Sequence, residues 1–362
     1  MTSLDAAALA ILGVRDRRLV AALVRADSGR STAEDLEALP SRRDGEGLLA
    51  WACRCRAPRS QPGMFEGELS QIIQAAEEQL LSAERKSITP IPFGDSNYPP
   101  LLAAIADPPP VLWTRGEPLV SLQPTIALVG SRAATPYAIG VARHLACGLQ
   151  RAGLVVVSGL ARGVDSAAHR ATLDCGGRTI GVLGCGVDRV YPAEHRELAL
   201  DMQRAGSLVS EFPPGIPPLK HHFPLRNRII SGLSLAVVVV EAPEKSGALI
   251  TATAAAEQGR DVMVVPGQTT GGRNRGGHLL IRDGARVVET ADDILQELGE
   301  LPLPPGVTGE LAGLPQRLDF TVDDVVQETG ALPHVVLAQL LELELTGRIQ
   351  RLGGGRFVRV LT

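Results

Sequence analysis

With 362 residues, 44% hydrophobic and 21% charged, the chain is long enough for more than one domain and too apolar to be disordered. A formal net charge of −4 excludes a uniformly basic nucleic-acid-binding surface, though not a basic face confined to one region. LAVVVVEA is far too short to span a bilayer, and five scattered cysteines (Cys53, Cys55, Cys147, Cys175, Cys185) suit a reducing, cytoplasmic setting.

Residues 1–85 carry helix-like spacing in LAILGVRDRRLVAALV and LSQIIQAAEEQLL, which predicts a small helical module rather than a signal peptide. Cys53 and Cys55 lack a second Cys or His pair at zinc spacing, so no metal is expected. The proline-rich SITPIPFGDSNYPPLLAAIADPPPVLWTRGE reads as an extended connector.

From Thr125 short apolar runs alternate with helical stretches. IALVG, LVVVSG, TIGVLG, LAVVVVEA and DVMVVPG are apolar throughout, and helical segments separate them. Strands of that kind belong to a parallel sheet covered on both faces, so a doubly wound α/β domain is predicted over 86–300. GELPLPPGVTG supplies a linker, placed at 301–318. FTVDDVVQETG, LPHVVLAQLLELELTG and RIQRLGGGRFVRVL then read as helix, helix and hairpin, the order of a winged helix over 319–362.

Ligands of an open parallel sheet sit beyond the carboxyl ends of its strands. The segments there carry Gly130, Ser131 and Arg132; Ser158, Gly159, Arg162 and Gly163; Gly184, Gly186 and Arg189; and Lys245, Ser246, Gly247 and Thr251. Glycine backbones, hydroxyls and cations at helix N-termini favour anions, although any one of these glycines is also what a tight turn requires. From Ile126 to Pro192, seven arginines face three aspartates. From Pro213 to Gly232, Lys220, Arg226 and Arg228 have no acid among them. In the same basic stretch, HHFPLRNRII, Phe223 is placed either to stack on a base or to pack a loop onto the sheet.

There is no G-x-G-x-x-G after the first strand and no P-loop, so no dinucleotide or other cofactor is expected. Ser158, His169 and Asp165 lie within one loop and helix start, with nothing to suggest an oxyanion site. Several phosphate-sized cradles along one sheet edge suit a single strand of nucleic acid and no catalysis. The rival reading is a nucleotide-processing enzyme of the phosphoribohydrolase type, for which Pro266-Gly267-Gln268-Thr269 is a partial echo of the required loop.

IALVGSR, VVSGLARGVDSAAHRATL, TIGVLGCGVDRVYPAEHREL, SEFPPG, HHFPLRNRIISGLS, VVVEAPEKSGALITATAAAEQGRDVMVVPG and LLIRDGA resemble the DprA (DNA-processing protein A, or Smf) family over essentially the whole of 87–290. The resemblance implies a Rossmann-like sheet, binding and protection of single-stranded DNA during natural transformation, and loading of the RecA recombinase by a homodimer. Single-strand-binding protein is a further partner on that footing; no membrane is. It implies phosphate contacts at Ser131, Arg132, Arg162, Gly163, Arg189, Lys220 and Lys245, a base-side role for Phe223, and a pocket ordered by Asn227 and Arg228. His278 stands near a position where the family usually has asparagine, and the N-terminal module shows only a weak helix-hairpin-helix (or SAM-like) pattern. From Asp319 to Thr362 six acids outnumber four arginines, so the winged helix is expected to bind protein, or to reach DNA only through Arg351 and Arg356.

Overall fold

The structure is a computed structural model and describes residues 1–13, 17–27, 29, 39, 48–56, 65–119, 124–299, 319–329, 332–333, 336–337, 340, 349–352 and 356–359. Its centre is a nine-stranded sheet of β1 (Thr89–Pro92), β2 (Val111–Gly116), β3 (Thr125–Val129), β4 (Val155–Ser158), β5 (Thr179–Val182), β6 (Ser207–Ser210), β7 (Ala236–Val239), β8 (Asp261–Val264) and β9 (Arg286–Val287). The strands lie in the order β1-β2-β6-β5-β4-β3-β7-β8-β9. β2 pairs antiparallel with both neighbours, and every other pairing is parallel.

Alternation along the central strands explains the sheet's place in the core. Ala127, Val129, Val155, Val157, Val237 and Val239 point to one face, and Ile126, Leu128, Val156, Ala236 and Val238 to the other. Both sets are buried, because helices cover both faces. One layer holds α6 (Pro136–Arg151), α7 (Val164–Asp174) and α12 (Ala291–Leu298); the other holds α8 (Arg196–Ala205), α9 (His222–Leu233) and α10 (Gly247–Glu257). α11 (Arg275–Arg282) follows β8.

Three features depart from the sequence reading. The proline-rich connector supplies β1 and β2, with a short helix, α5 (Pro100–Ala103), between them. Pro90 and Pro92 are tolerated because β1 is an edge strand and pairs on one side alone. The second departure is β6, whose flanking serines hide it; both are buried, and Ser210 donates to the Leu183 carbonyl at 3.3 Å. In the third, the basic stretch before β7 is a helix, α9, rather than a loop.

The N-terminal helices α1 (Ser3–Gly13), α2 (Arg17–Asp27), α3 (Leu48–Arg56) and α4 (Phe65–Arg85) share one hydrophobic cluster with β1 and β2, joining Leu9 and Leu23 to Ile91 and Trp113. The winged-helix region contributes α13 (Val322–Thr329) and a sheet in which β12 (Arg356–Arg359) lies between β10 (Asp319–Thr321) and β11 (Ile349–Leu352). Phe320, Val325, Val336, Leu340 and Phe357 form its core. Arg351 and Arg356 fall on β11 and β12; Glu342, Glu344 and the linker 301–318 lie outside the described residues. Cys147 and Cys175, read as scattered thiols, are joined as a disulfide between α6 and α7, and no described helix is long and apolar enough to cross a membrane.

Candidate nucleic-acid interface

From β3 the chain steps through β4 and β5 to β6 on one side, and from β7 through β8 to β9 on the other. Strand order therefore reverses between β3 and β7, where the loops leaving the carboxyl ends diverge and open a crevice. A cavity of about 630 Å3 occupies it. Gly130, Ser131 and Arg132 line it after β3, Lys220, Phe223, Arg226 and Asn227 at the start of α9, and Lys245, Ser246, Gly247 and Thr251 after β7. Ser158, Gly159, Arg162, Gly163, Gly184, Gly186, Arg189 and Arg228 are not among the lining residues.

The cations of the rim are exposed. Arg132, Lys220 and Lys245 form no ion pair among the described residues, nor does exposed Arg189 outside the lining. The Arg132 guanidinium lies 5.3 Å from the centre of the Phe223 ring, within cation–π range. Tyr191, absent from the sequence reading, stands 5.4 Å from Phe223 and is 43% exposed. Its signal was available: a rare aromatic two residues after Arg189 in the same strand-end loop. Two rings and a guanidinium thus share one wall, beside unpaired ammonium groups.

Arg162 behaves differently. Its Nε donates to Glu194 at 2.5 Å, and both side chains are more than half exposed. The hydrogen bond raises the arginine's pKa and lowers that of the glutamic acid.

Three residues of the basic stretch make contacts within the fold: Arg226, expected at the ligand, and Asn227 and Arg228, expected to order the pocket. Arg226 is 3% exposed and donates through Nη1 to the Gly159 carbonyl at 2.8 Å and to the Val182 carbonyl. Burial lowers its pKa to about 10, against the opposing pull of Asp165. Arg228 donates to Asp107 and Glu211, each at 2.7 Å. Burial works against its charge, yet these two carboxylates leave its pKa raised. The acid-free window 213–232 missed both, because Glu211 lies just outside it and Asp107 is 121 residues away. Asn227 donates to the Gly247 carbonyl at 3.2 Å and ties α9 to α10.

The loop after β4 is closed to a phosphate by its own carboxylate. Asp165 accepts the amides of Gly159 at 3.1 Å and Ala161 at 3.3 Å, so this ready-made anion nest is filled internally. Burial raises the Asp165 pKa, while Arg226 and the two amides oppose the rise. Leu160, at φ +54°, is held in the left-handed region between them, with His195 Nδ1 donating to its carbonyl at 3.0 Å. Ser158 donates to the Leu128 carbonyl at 2.6 Å in the core. Gly163 (φ +78°) is needed because a Cβ would strike the Ser131 carbonyl. A Cβ on Gly159 would meet the Arg226 guanidinium, one on Gly184 the Phe223 ring, and one on Gly186 the Pro213 carbonyl. These glycines therefore serve packing. Gly247 alone of the predicted glycines has open space around it, at the first turn of α10, which Ser246 caps by accepting the Ala248 amide at 3.2 Å.

His169 is engaged elsewhere. Thr179 Oγ1 gives its own proton to the Val156 carbonyl, so it accepts from Nδ1 of His169 at 2.7 Å. No Ser–His–Asp relay forms. Among the described residues no group of three or more His, Cys, Asp or Glu could hold a metal ion.

Residues 89–299 match the family described as DNA recombination-mediator protein A, and residues 300–355 match the DprA winged helix domain. The chain belongs to the DNA recombination-mediator protein A family. It is 43% identical to DNA processing protein DprA of Bacillus subtilis over 237 residues, 65% of this chain and 80% of that relative. With protein Smf of Escherichia coli it shares 40% identity over 324 residues, 79% and 81% of the two chains. The structure superposes on DprA from Streptococcus pneumoniae with a TM-score of 0.70 at 35% identity, covering 83% of this chain and 99% of that one. A second solved member, DNA processing protein A from Helicobacter pylori, was described for its single-stranded DNA binding mode. It matches at a TM-score of 0.53 and 28% identity, over 58% of this chain and 95% of that one.

Proposed function

We propose that this chain binds and protects single-stranded DNA at the β3–β7 crevice without acting on it chemically, and loads RecA recombinase onto the strand. One observation carries the reading. The rim presents Arg132, Lys220 and Lys245 unpaired among the described residues, beside two aromatic rings that offer a sequence-tolerant stacking surface. The buried cations of the floor are already satisfied, so the strand's phosphates meet the rim and one base enters the cavity. The family's description as recombination mediators supports the RecA step. With it come, on the resemblance, a homodimer formed through the α/β domain, action in the cytoplasm during natural transformation, and cooperation with single-strand-binding protein.

Labelled oligo-dT titrated against a matched duplex at two ionic strengths tests the binding step. The single strand should bind more tightly, and log affinity should fall with log salt by about 0.7 per phosphate neutralised. Equal affinity for duplex, or binding indifferent to salt, would overturn it. The nucleotide-processing reading is disfavoured because Asp165, the one carboxylate among the described lining residues, is buried and committed to backbone amides. Free base released from nucleoside monophosphates would restore it.

A further inference from the structure

A second cavity of about 270 Å3 lies across the Ser131–Thr135 ridge from the first, between the start of α6 and the loop after β8. The ridge is firmly held: the Ser131 amide donates to the Glu241 carbonyl at 2.7 Å, and Arg273 Nη1 donates to the Ala133 carbonyl at 3.3 Å. The loop turns at Gly271 and Gly272, both with positive φ, and is pinned by Asn274, whose side chain accepts the Ala242 amide and donates to the Val265 carbonyl, each at 3.0 Å.

Two exposed side chains stand there, each tied to the frame by a single hydrogen bond to a backbone carbonyl. Tyr137 is 53% exposed, and its hydroxyl donates to the Pro266 carbonyl at 3.1 Å, which fixes the ring over the cavity wall. Arg273 is exposed and forms no ion pair among the described residues, whereas Arg275 is held by Glu244 at 3.2 Å. A ring and an unneutralised guanidinium thus line this cavity, as they do the first.

We propose that this second cavity is a nucleotide-binding station on the same strand path, where Tyr137 stacks a base and Arg273 takes the adjoining phosphate. The inference rests on the single-stranded DNA reading above. Glu241 sets the polarity of the station. Its buried carboxylate accepts the Thr135 amide at 3.2 Å and the Thr135 hydroxyl at 2.6 Å. That fixed negative charge turns a phosphate away from the cavity interior, admits a neutral base and leaves the phosphate outside, where Arg273 projects.

The test uses the full chain and labelled oligo-dT of about four and about twelve nucleotides, followed by fluorescence anisotropy. Arg273→Ala and Tyr137→Ala should each weaken the longer oligonucleotide about fivefold or more and leave the shorter one, which the first cavity fills alone, unchanged. Tyr137→Phe keeps the ring and loses the bond to Pro266, and should bind both lengths like the parent. If Arg132→Ala loses binding while Arg273→Ala and Tyr137→Ala match the parent at both lengths, the second station is wrong and the first stands. Equal losses at both lengths would also overturn it, assigning these residues to the first cavity or to the fold. A parent chain that binds neither oligonucleotide defeats the single-stranded DNA reading itself.

Discussion

Two arginines that line the same cavity can have opposite fates, and their substitution should separate binding from folding. Arg132→Ala removes an exposed guanidinium from the Phe223 wall and should weaken binding to all sequences alike, with the denaturation midpoint unchanged. Arg226→Ala takes the nearby positive charge from buried Asp165 and empties two carbonyls, and should cost about 3–5 kcal/mol of stability, read from a denaturant titration. A variant that stayed as stable as the parent would show that Arg226 is not the internal clamp described. Glu194 offers the reverse experiment. Its carboxylate occupies Arg162, an arginine otherwise free to meet a phosphate, so Glu194→Gln should tighten single-strand binding about two- to fivefold at low salt. Unchanged or weakened affinity would mean that Arg162 lies off the strand's path.

At the level of elements, α9 holds the lesson about legibility. HHFPLRNRII looked like a basic loop because its composition is basic and its aromatic is rare. Read at helical spacing, Phe223, Asn227 and Ile230 fall on one face, the face that lines the cavity, while Arg228 turns toward Asp107 and Glu211. The strands β3, β4, β5, β7 and β8 were legible because two-sided burial leaves an unbroken apolar run. β1 and β6 were not, since prolines are permitted at an edge and serines where a side chain finds a carbonyl, and β2 was hidden behind the prolines 108–110 that precede it. The α6–α7 disulfide makes a prediction of its own. Closing a 28-residue separation constrains the unfolded chain, and its loss in Cys147→Ser should cost roughly 3–4 kcal/mol, seen as a lower melting temperature. Identical melting with and without a reductant would show that the bond does not form in solution.

For the whole molecule, acid sensitivity follows from a histidine sealed in the core. Burial lowers the His169 pKa to about 3, with smaller contributions from His195 and Arg226. The unfolded chain binds this proton near pH 6.5, and the folded chain only near pH 3. Stability is therefore present above pH 6.5 and is lost as pH falls below it, by about 1.4 kcal/mol per unit from this group alone. His169→Asn keeps a donor toward Thr179 without the titration, and its melting temperature should fall less steeply between pH 6.5 and 5. Parallel pH profiles would assign the acid sensitivity elsewhere.

What the sequence determined by itself was local: a parallel sheet from runs of valine and isoleucine, turns from glycines, and the strand-end segments where ligands gather. Those properties depend on neighbours a few residues apart. The tertiary structure decided which charges remain available, because neutralisation depends on distance in space. Arg228 meets a carboxylate 121 residues away, Arg226 answers to carbonyls just after β4 and within β5, and Asp165 fills the amide nest of its own loop. Only folding separates the guanidiniums that hold the crevice together from those left on its rim to meet a polyanion.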